Sequence, residues 1–334
     1  MFILLFKNMK KVLVTGAAGY IGSNLVEYLL SKDYEVVGLD NFNEYYSPKV
    51  KRFNIETFKN HKNFKLYEID LVDKDALTKM FDEEKEFYSI IHLAAWAGVT
   101  YSVKHPDIYI KANVEGSHNL MDLASKRSVG SFIFASTSSI YGDNKVPFDE
   151  TMNTDRPNAP YPASKKSVEV LLYTYNKNFG LKTTIFRFFN PLGPRIRPDM
   201  ALPKLIRATL YDYEFPIYQN PENSKRDYTY IGHMLDAIEK AMDKQFEYEI
   251  INLGNSNPVS LIDMMKSVER TIGKKAKTKQ LPLPGQMHIT YANIDKAKRL
   301  LEYNPNTTLD EMIQIYYEWF LKQPEWYRKI KIEV

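Results

Sequence analysis

The sequence predicts an α/β fold in which helices cover both faces of a parallel sheet and a smaller C-terminal lobe follows. Three observations predict it. Short apolar runs alternate with helix-favouring stretches through the first half of the 334-residue chain, as in a sheet built from strand–helix–strand units. A glycine-rich turn joins the first strand to the first helix. Beyond residue 190, prolines accumulate and the helical stretches become separated by loops.

The individual elements follow from the spacing of the apolar residues. Six short apolar runs bounded by turn residues are the predicted strands, at 11–15, 35–39, 64–67, 89–93, 130–135 and 182–187. Five longer stretches are the predicted helices, near 20–32, 48–60, 73–84, 107–127 and 160–179. The chain shows no internal repeat, so solenoid and propeller architectures are not expected.

The first turn has the spacing GxxGxxG, with Gly16, Gly19 and Gly22 between the first strand and the first helix. Backbone amides and the helix dipole make such a turn a seat for a pyrophosphate. Gly16 permits the turn, Gly19 lets a phosphate approach, and Gly22 allows close packing of helix on strand. The spacing differs from the common GxGxxG fingerprint, so a glycine-rich turn without a ligand is the alternative.

A carboxylate follows the second strand, about 20 residues beyond the glycine turn. At that position Asp40 would accept hydrogen bonds from the adenosine ribose hydroxyls and would repel a 2′-phosphate. Asn41 and Phe42 supply no arginine that could hold such a phosphate. The pattern favours NAD over NADP in a Rossmann-type, doubly wound domain. The alternative is an aspartate that only ends a strand.

Composition excludes several other kinds of protein. The chain has no cysteine, which excludes disulfides and thiolate metal sites, and its six histidines show no metal-ligand spacing. Its net charge of +4 comes from interspersed acidic and basic residues, which gives no strong support for nucleic-acid binding. Residues 1–6 are apolar but too few for a signal peptide or membrane span, and they precede a plausible alternative start at Met9. We expect a cytoplasmic protein with no membrane partner and no metal.

Further along, polar and small residues follow the ends of the predicted strands. Asp70 and Leu71 suit the adenine edge of a dinucleotide, and small residues in HLAA at 92–95 let the backbone pass close to it. Hydroxyl side chains are concentrated in STSSIYG at 136–142, at the sheet edge where ligands bind in this fold class. Each feature taken singly could equally be an ordinary strand end.

The predicted helix at 160–179 opens with Tyr161 and Lys165, four residues apart on one face. An ammonium beside a phenol stabilises the phenolate and so turns a tyrosine into a general base. Surface helices often carry YxxxK, so the interpretation rests on its place after a hydroxyl-rich fifth strand in a chain with a dinucleotide turn.

Together these motifs resemble the extended short-chain dehydrogenase/reductases, and among them the nucleotide-sugar (UDP-hexose) 4-epimerases. The shared stretches span nearly the whole chain in the family's order: TGAAGYIG at 15–22, Asp40, HLAA at 92–95, Asn113, STSSIYG at 136–142, YxxxK at 161–165, FRFFNPLGP at 186–194, RDYTYI at 226–231 and YANIDKAKRLLEYNP at 291–305. We divide the chain into an N-terminal extension at 1–8, an NAD-binding Rossmann domain at 9–190 and a substrate-binding lobe at 191–334, with strands and helices exchanged between the lobes.

The resemblance implies a mechanism in which bound NAD takes hydride from C4 of the sugar and returns it to the other face. Tyr161 would be the base, Lys165 would hold the nicotinamide ribose, and Thr137 would hydrogen-bond the 4-oxygen. The implied cofactor-binding residues are Gly16, Gly19, Tyr20, Ile21, Gly22, Asp40, Asn41, Asp70, Leu71, Leu93, Ala94, Ala95, Asn113, Tyr161, Lys165 and Phe188. The implied substrate-binding residues are Ser138, Asn190, Arg197, Arg226 for the diphosphate, and Thr290.

Departures from the family's patterns narrow the choice among the family's reactions. The related 4,6-dehydratases carry Asp-Glu directly after the catalytic threonine, where this chain has Ser138 and Ser139, so dehydration is not expected. RPDMA at 197–201 and NFNEYYSP at 41–48 resemble UDP-glucuronate 4-epimerases. That subgroup, however, usually has arginine where this chain has Thr100.

The sugar is inferred from three positions. Asn190 is the form found in UDP-galactose and UDP-N-acetylhexosamine 4-epimerases, and Thr290 is small where galactose-restricted enzymes have a bulky tyrosine. Arg197 could instead face the carboxylate of a glucuronate. Gln286 stands where the family usually has an aspartate after Pro-Gly. Which residue near 284–287 would contact the uridine ribose is therefore left open. The favoured substrates are UDP-N-acetylglucosamine and UDP-N-acetylgalactosamine, with UDP-glucuronate or UDP-glucose/galactose as alternatives.

Two other readings of the chain remain open, a dehydrogenase that releases NADH and a non-catalytic NAD-binding regulator. The family's homodimers pack a pair of long helices against their twins, and the stretches 107–127 and 160–179 correspond to that pair. Four leucines could serve in that interface or in the core of one subunit: Leu120, Leu123, Leu171 and Leu172.

Overall fold

The computed structural model describes residues 9–218, 221–282 and 289–330. Within these residues, seven strands form one parallel sheet flanked by helices, in the order β11-β6-β5-β4-β1-β2-β3. The seven strands are β1 (Lys11–Thr15), β2 (Glu35–Leu39), β3 (Phe64–Tyr67), β4 (Ser89–His92), β5 (Phe132–Thr137), β6 (Thr183–Phe188) and β11 (Tyr248–Leu253). The order confirms the predicted doubly wound fold. From the central pair β1 and β4, the chain adds β2 and β3 on one side and β5, β6 and β11 on the other.

Shorter strands form three small sheets in the part of the chain that is described. These strands are β7 (Pro191–Leu192) with β10 (Thr229–Tyr230), β8 (Glu214–Tyr218) with β13 (Lys277–Leu281), and β12 (Pro258–Ser260), β9 (Lys225–Asp227) and β14 (Ile289–Thr290) in that order. In the three-stranded sheet, β9 is central, antiparallel to β12 and parallel to β14.

The helices connect these strands. They are α1 (Tyr20–Leu30), α2 (Pro48–Asn54), α3 (Lys74–Glu84), α4 (Val99–Lys104), α5 (Pro106–Tyr109), α6 (Gly116–Ser125), α7 (Pro160–Phe179), α8 (Ala201–Tyr211), α9 (Ile231–Lys244), α10 (Leu261–Ile272), α11 (Asp295–Leu301), α12 (Leu309–Leu321) and α13 (Glu325–Arg328). A π-helical segment, Ile110–Glu115, separates α5 from α6, and a 3₁₀ turn, Ser138–Tyr141, follows β5. No described helix is both long enough and apolar enough to cross a membrane.

The predicted bounds are correct for β1, β2, β3 and α7, whereas β5 begins two residues later than predicted. Gly130, just before this strand, lies close to its neighbours, since an added Cβ would be 2.5 Å from the carbonyl oxygen of Tyr88. The strand also runs on through Ser136 and Thr137, which are buried although they are polar. The predicted helix near 107–127 is present as one unbroken helical stretch over 106–125, in which the π-helical segment lies between α5 and α6.

The chain forms two compact units. One contains the described residues up to Ala135 together with Ala159–Ile185 and Glu239–Glu249, and the other contains Ser136–Asn158, Phe186–Ile238 and the described residues from Ile250 onward. Each unit therefore combines segments that are distant in the sequence.

The leucines considered for a dimer interface are mostly core residues. Leu120 and Leu172 are fully buried, and only 4% of Leu123 is exposed. Leu171 is partly exposed. On the same helical segments other apolar side chains face outward: Ile110, Val170, Tyr173 and Phe179. Three of the four named leucines therefore lie in the core of one subunit.

Candidate active site

The glycine turn between β1 and α1 leaves no room for side chains. Gly16 has φ +69°, and a Cβ there would lie 2.9 Å from the Ala94 nitrogen. A Cβ on Gly22 would lie 2.0 Å from the Gly16 oxygen, so both positions require glycine. Because α1 begins at Tyr20 with Gly19 as N-cap, the amides of its first turn have no intrahelical acceptor and suit a pyrophosphate.

Asp40 lies at the end of β2 and is 6% exposed. One carboxylate oxygen accepts a hydrogen bond from the Ala18 amide at 3.0 Å, and the other accepts one from the Phe42 amide at 2.8 Å. Burial raises the pKa of Asp40, and these backbone bonds oppose that shift. Each oxygen keeps a lone pair for a ribose hydroxyl. Next to it, Asn41 donates to Asp70 at 2.8 Å, so two further predicted cofactor residues are in contact.

A network of buried, hydrogen-bonded polar side chains begins at the end of β4, where His92 is fully buried. Its Nδ1 is 2.7 Å from the Thr15 hydroxyl, which also accepts from the Ala94 amide at 3.1 Å. Its Nε2 is 2.8 Å from the Ser117 hydroxyl, which donates to the Asn113 carbonyl. This pattern assigns the neutral tautomer protonated on Nε2. Burial lowers the pKa of His92 to about 3, in keeping with a neutral ring.

Asn113 is buried in the π-helical segment and joins two parts of the site. Its side chain accepts from the Trp96 amide at 2.8 Å and donates to the Trp96 carbonyl at 2.9 Å. It also donates to the Ser164 hydroxyl, at 3.0 Å, in the first turns of α7. Asn113 thereby fixes both the loop after β4 and the start of the helix that carries Tyr161.

Tyr161 and Lys165 lie one turn apart on α7. Lys165 is 3% exposed, donates to the Ala135 carbonyl at 2.8 Å, and places its ammonium 4.7 Å from the centre of the Phe134 ring. Burial lowers the pKa of Lys165 to about 7, while the charge of Glu169 opposes the shift. A carbonyl and an aromatic face thus hold this amine in a buried position that disfavours its charged form.

Thr137 is the last residue of β5 and is 7% exposed. Its hydroxyl oxygen accepts a hydrogen bond from the Ser139 amide at 3.2 Å, which caps the 3₁₀ turn. The hydroxyl keeps its proton for a second partner, so Thr137 can donate to a substrate oxygen. Ser138 follows it and is partly exposed.

Three predicted substrate residues converge on β9. Arg226 lies in this strand and pairs in register with Thr290 of β14. The Asn190 side chain donates to the carbonyl of Asp227, the next residue of β9, at 3.3 Å. Burial lowers the pKa of Arg226 from its usual value. The Arg226 guanidinium donates to the Lys225 carbonyl at 3.0 Å, and a guanidinium fork suits the geometry of a diphosphate.

Arg197, a further predicted substrate residue, pairs with an acid of its own loop. Its guanidinium makes two bonds with the Asp199 carboxylate, at 3.0 and 2.9 Å. Gln286, the departure that left the uridine contact open, lies outside the described residues. Among the other predicted cofactor residues, Leu71 and Phe188 are buried. The segment 93–95 is partly exposed.

Comparison with known proteins decides the family. The profile of the NAD dependent epimerase/dehydratase family matches residues 12–254. The chain belongs to this family. The steric demand for glycine in the first turn, the helix amides beside it and the buried Asp40 fit an adenine dinucleotide with a free 2′-hydroxyl, and NAD is the cofactor.

Named members of the family indicate the reaction. The UDP-glucuronate 4-epimerase of Thermodesulfobacterium geofontis is 37% identical over 96% of this chain and 99% of its own. The structure of UDP-glucuronic acid 4-epimerase from Bacillus cereus, with UDP-glucuronic acid and NAD, is 33% identical over 92% and 98% of the two chains, with a TM-score of 0.86. The UDP-N-acetylglucosamine 4-epimerase of Methanobrevibacter ruminantium, in complex with UDP-N-acetylmuramic acid, is 28% identical over 95% and 99%, with a TM-score of 0.85. The chain is an NAD-dependent UDP-sugar 4-epimerase.

Sequence reasoning missed the network of buried polar side chains through His92 and Ser117, as well as the contact between Tyr109 and Tyr161. Tyr109 is fully buried, its hydroxyl donates to the Ala97 carbonyl at 2.6 Å, and its ring lies 6.1 Å from that of Tyr161. The only sequence signal was the helical spacing that places Tyr109 one turn before Asn113.

Proposed function

We propose that this epimerase interconverts UDP-N-acetylglucosamine and UDP-N-acetylgalactosamine. The main support for this proposal is the pair of hydrogen bonds between the Arg197 guanidinium and the Asp199 carboxylate. Asp199 thereby neutralises the charge on Arg197, the residue that was expected to select a sugar carboxylate. Asn190 and Thr290 beside Arg226 offer neutral groups to a neutral sugar. The small Thr290 side chain leaves room for an acetamido group.

The catalytic roles follow from the environment of each residue. Tyr161 takes the proton of the sugar 4-hydroxyl and gives it back after inversion. Lys165 binds the nicotinamide ribose, and its ammonium stabilises the Tyr161 phenolate. Thr137 donates a hydrogen bond to the 4-oxygen while its own oxygen stays on the Ser139 amide. When bound, NAD supplies the acceptor and then the donor of the hydride at C4.

UDP-glucuronate is the second candidate, and a specific observation favours it. The T. geofontis enzyme of that name is 37% identical, and the B. cereus structure is 33% identical with a TM-score of 0.86. A glucuronate carboxylate on Arg197 would have to take the place of Asp199, so it would exchange one charged hydrogen bond, worth about 1.5–3 kcal/mol, for another.

A direct comparison of substrates distinguishes the candidates. Purified protein is incubated separately with UDP-N-acetylglucosamine, UDP-glucuronate and UDP-glucose, and the 4-epimers are resolved by chromatography. The proposal expects the highest kcat/KM for the N-acetyl sugar. Turnover of UDP-glucuronate alone would reject it in favour of the second candidate, and Asp199→Asn would then be expected to improve glucuronate turnover.

We also propose a homodimer built on the outward-facing apolar residues that flank the named leucines. Ile110, Val170 and Tyr173 are each about half exposed, with exposed fractions of 57%, 52% and 48%. Their burial against a second copy would remove apolar surface from water. A monomer at micromolar concentration in sedimentation velocity would reject the dimer.

A further inference from the structure

We propose that Asp227 is a positioning residue that holds the nucleotide-sugar side chains Arg226, Asn190 and Thr290 in one arrangement. This rests on the proposed function, which assigns those three residues to the nucleotide sugar. Asp227 contacts none of the reacting atoms in this account. It acts through the strand and loops that its carboxylate joins.

The Asp227 carboxylate is fully buried and is bound by backbone amides. One oxygen accepts from Asn255 at 2.8 Å, and the other accepts from Ser256 at 3.1 Å and from Ala292 at 3.0 Å. The Asn257 amide adds a further bond. One negative charge is therefore compensated by amides from two segments that lie more than 30 residues apart in the sequence.

Those two segments continue into the strands on either side of β9. Asn257 directly precedes β12, and Ala292 comes two residues after the end of β14. Arg226 lies between these strands, with Thr290 as its partner in register. The carboxylate of Asp227 thus secures both neighbours of the strand from which Arg226 projects.

The backbone of Asp227 secures Asn190. The Asn190 side chain donates to the Asp227 carbonyl at 3.3 Å. The Thr229 amide donates in turn to the Asn190 carbonyl at 3.2 Å. This reciprocal pair keeps Asn190 against β9, so that displacement of Asp227 would move Asn190 and Arg226 together.

The loop before β12 is shaped around this carboxylate. A Cβ on Gly254 would lie 2.6 Å from Asp227 Oδ2 and 2.7 Å from the Ala292 Cβ, so only glycine fits. Ser256 adopts φ +55°, in the left-handed region, and its amide points at the same carboxylate. The Tyr303 hydroxyl holds the loop from the other side through the Gly254 carbonyl at 3.0 Å.

The decisive variant is Asp227→Asn, in the full-length protein. An amide offers one oxygen acceptor and an NH₂ group, so it leaves several of the surrounding backbone amides without an acceptor. Gly254→Ala pushes the carboxylate by steric contact and gives a second route to the same displacement if Asp227→Asn is too unstable to purify. Glu311→Gln is the matched control, because this carboxylate of the same compact unit also accepts from a backbone amide, that of Thr308 at the start of α12, and holds none of the three strands around Arg226.

Four quantities are measured: UDP affinity by isothermal titration calorimetry, bound NAD content, melting temperature, and kcat and KM for UDP-N-acetylglucosamine. In Asp227→Asn and Gly254→Ala we expect the Kd for UDP and the KM to rise by about tenfold or more, as when a charged hydrogen bond is misplaced. NAD content and kcat should stay within about threefold of the wild type. Glu311→Gln should lower the melting temperature and leave the Kd for UDP unchanged.

UDP affinity like that of the wild type in folded Asp227→Asn would overturn the inference. Parallel loss of NAD and UDP in both variants would also overturn it, because a general structural role would produce that result. Wild-type protein that fails to bind UDP would instead reject the proposed function, and the inference with it.

Discussion

Replacement of Lys165 by methionine should change how stability depends on pH. The pKa of this buried amine falls from 10.5 to about 7 in the folded chain. Between these values the unfolded state binds more protons than the folded state, so the free energy of unfolding of the wild type rises with pH in this window. A shift from 10.5 to about 7, at ~1.4 kcal/mol per pKa unit, corresponds to a rise on the order of 5 kcal/mol over the whole window.

Lys165→Met removes this titration and keeps a similar side-chain volume beside Phe134. The variant leaves the Ala135 carbonyl without its donor, which costs about 1–3 kcal/mol at every pH and does not change the slope. The assay is urea unfolding of nucleotide-free protein at intervals from pH 7 to pH 10. The free energy of unfolding of the wild type should rise relative to that of the variant as pH rises.

Lys177→Met is the control, since this lysine lies exposed on the same helix. Its unfolding curve should follow that of the wild type at each pH. Parallel dependences on pH for the wild type and Lys165→Met would refute the reasoning, because they would mean that the buried amine keeps its ordinary proton affinity. The same variant should also lose epimerase activity by about 100-fold or more.

Three further substitutions test the remaining assignments. Tyr161→Phe should keep the fold and bound NAD but lower kcat by about 100-fold or more, and near-normal turnover would remove Tyr161 from the mechanism. Asp40→Ala should weaken NAD retention and relax discrimination against NADP, and a wild type that binds both equally would contradict the role of Asp40. Thr290→Tyr should suppress epimerisation of the N-acetyl sugar far more than that of UDP-glucose, whereas equal loss on both would reject the sugar assignment.

The sheet was largely predictable, because its first strands are continuous apolar runs ended by turn residues. The bounds of β1, β2 and β3 therefore follow from the sequence alone. The later end of β5 does not, since Ser136 and Thr137 are polar residues that are buried by tertiary packing. The π-helical segment has an ordinary helical pattern, so nothing in its composition marks the extra residue in the turn.

Site residues could be predicted from the sequence where they form a local motif. They could not be predicted where their hydrogen-bond partners lie far away in the sequence. The spacing of Tyr161 and Lys165 placed both on α7, as the structure has them. By contrast, the amides that bind Asp227 come from segments 28 to 65 residues away. His92 likewise depends on Thr15 and Ser117, which no periodicity connects. Buried polar networks of this kind become visible only once the fold brings their members together.

The central claim is inversion at C4 of a UDP-N-acetylhexosamine by hydride that leaves and returns within the site. Proton NMR of UDP-N-acetylglucosamine incubated with the purified protein in D₂O tests it most directly. The account predicts that UDP-N-acetylgalactosamine forms without added NAD and that its C4 position keeps protium. Deuterium at C4, or no conversion of this sugar while UDP-glucuronate is converted, would contradict it.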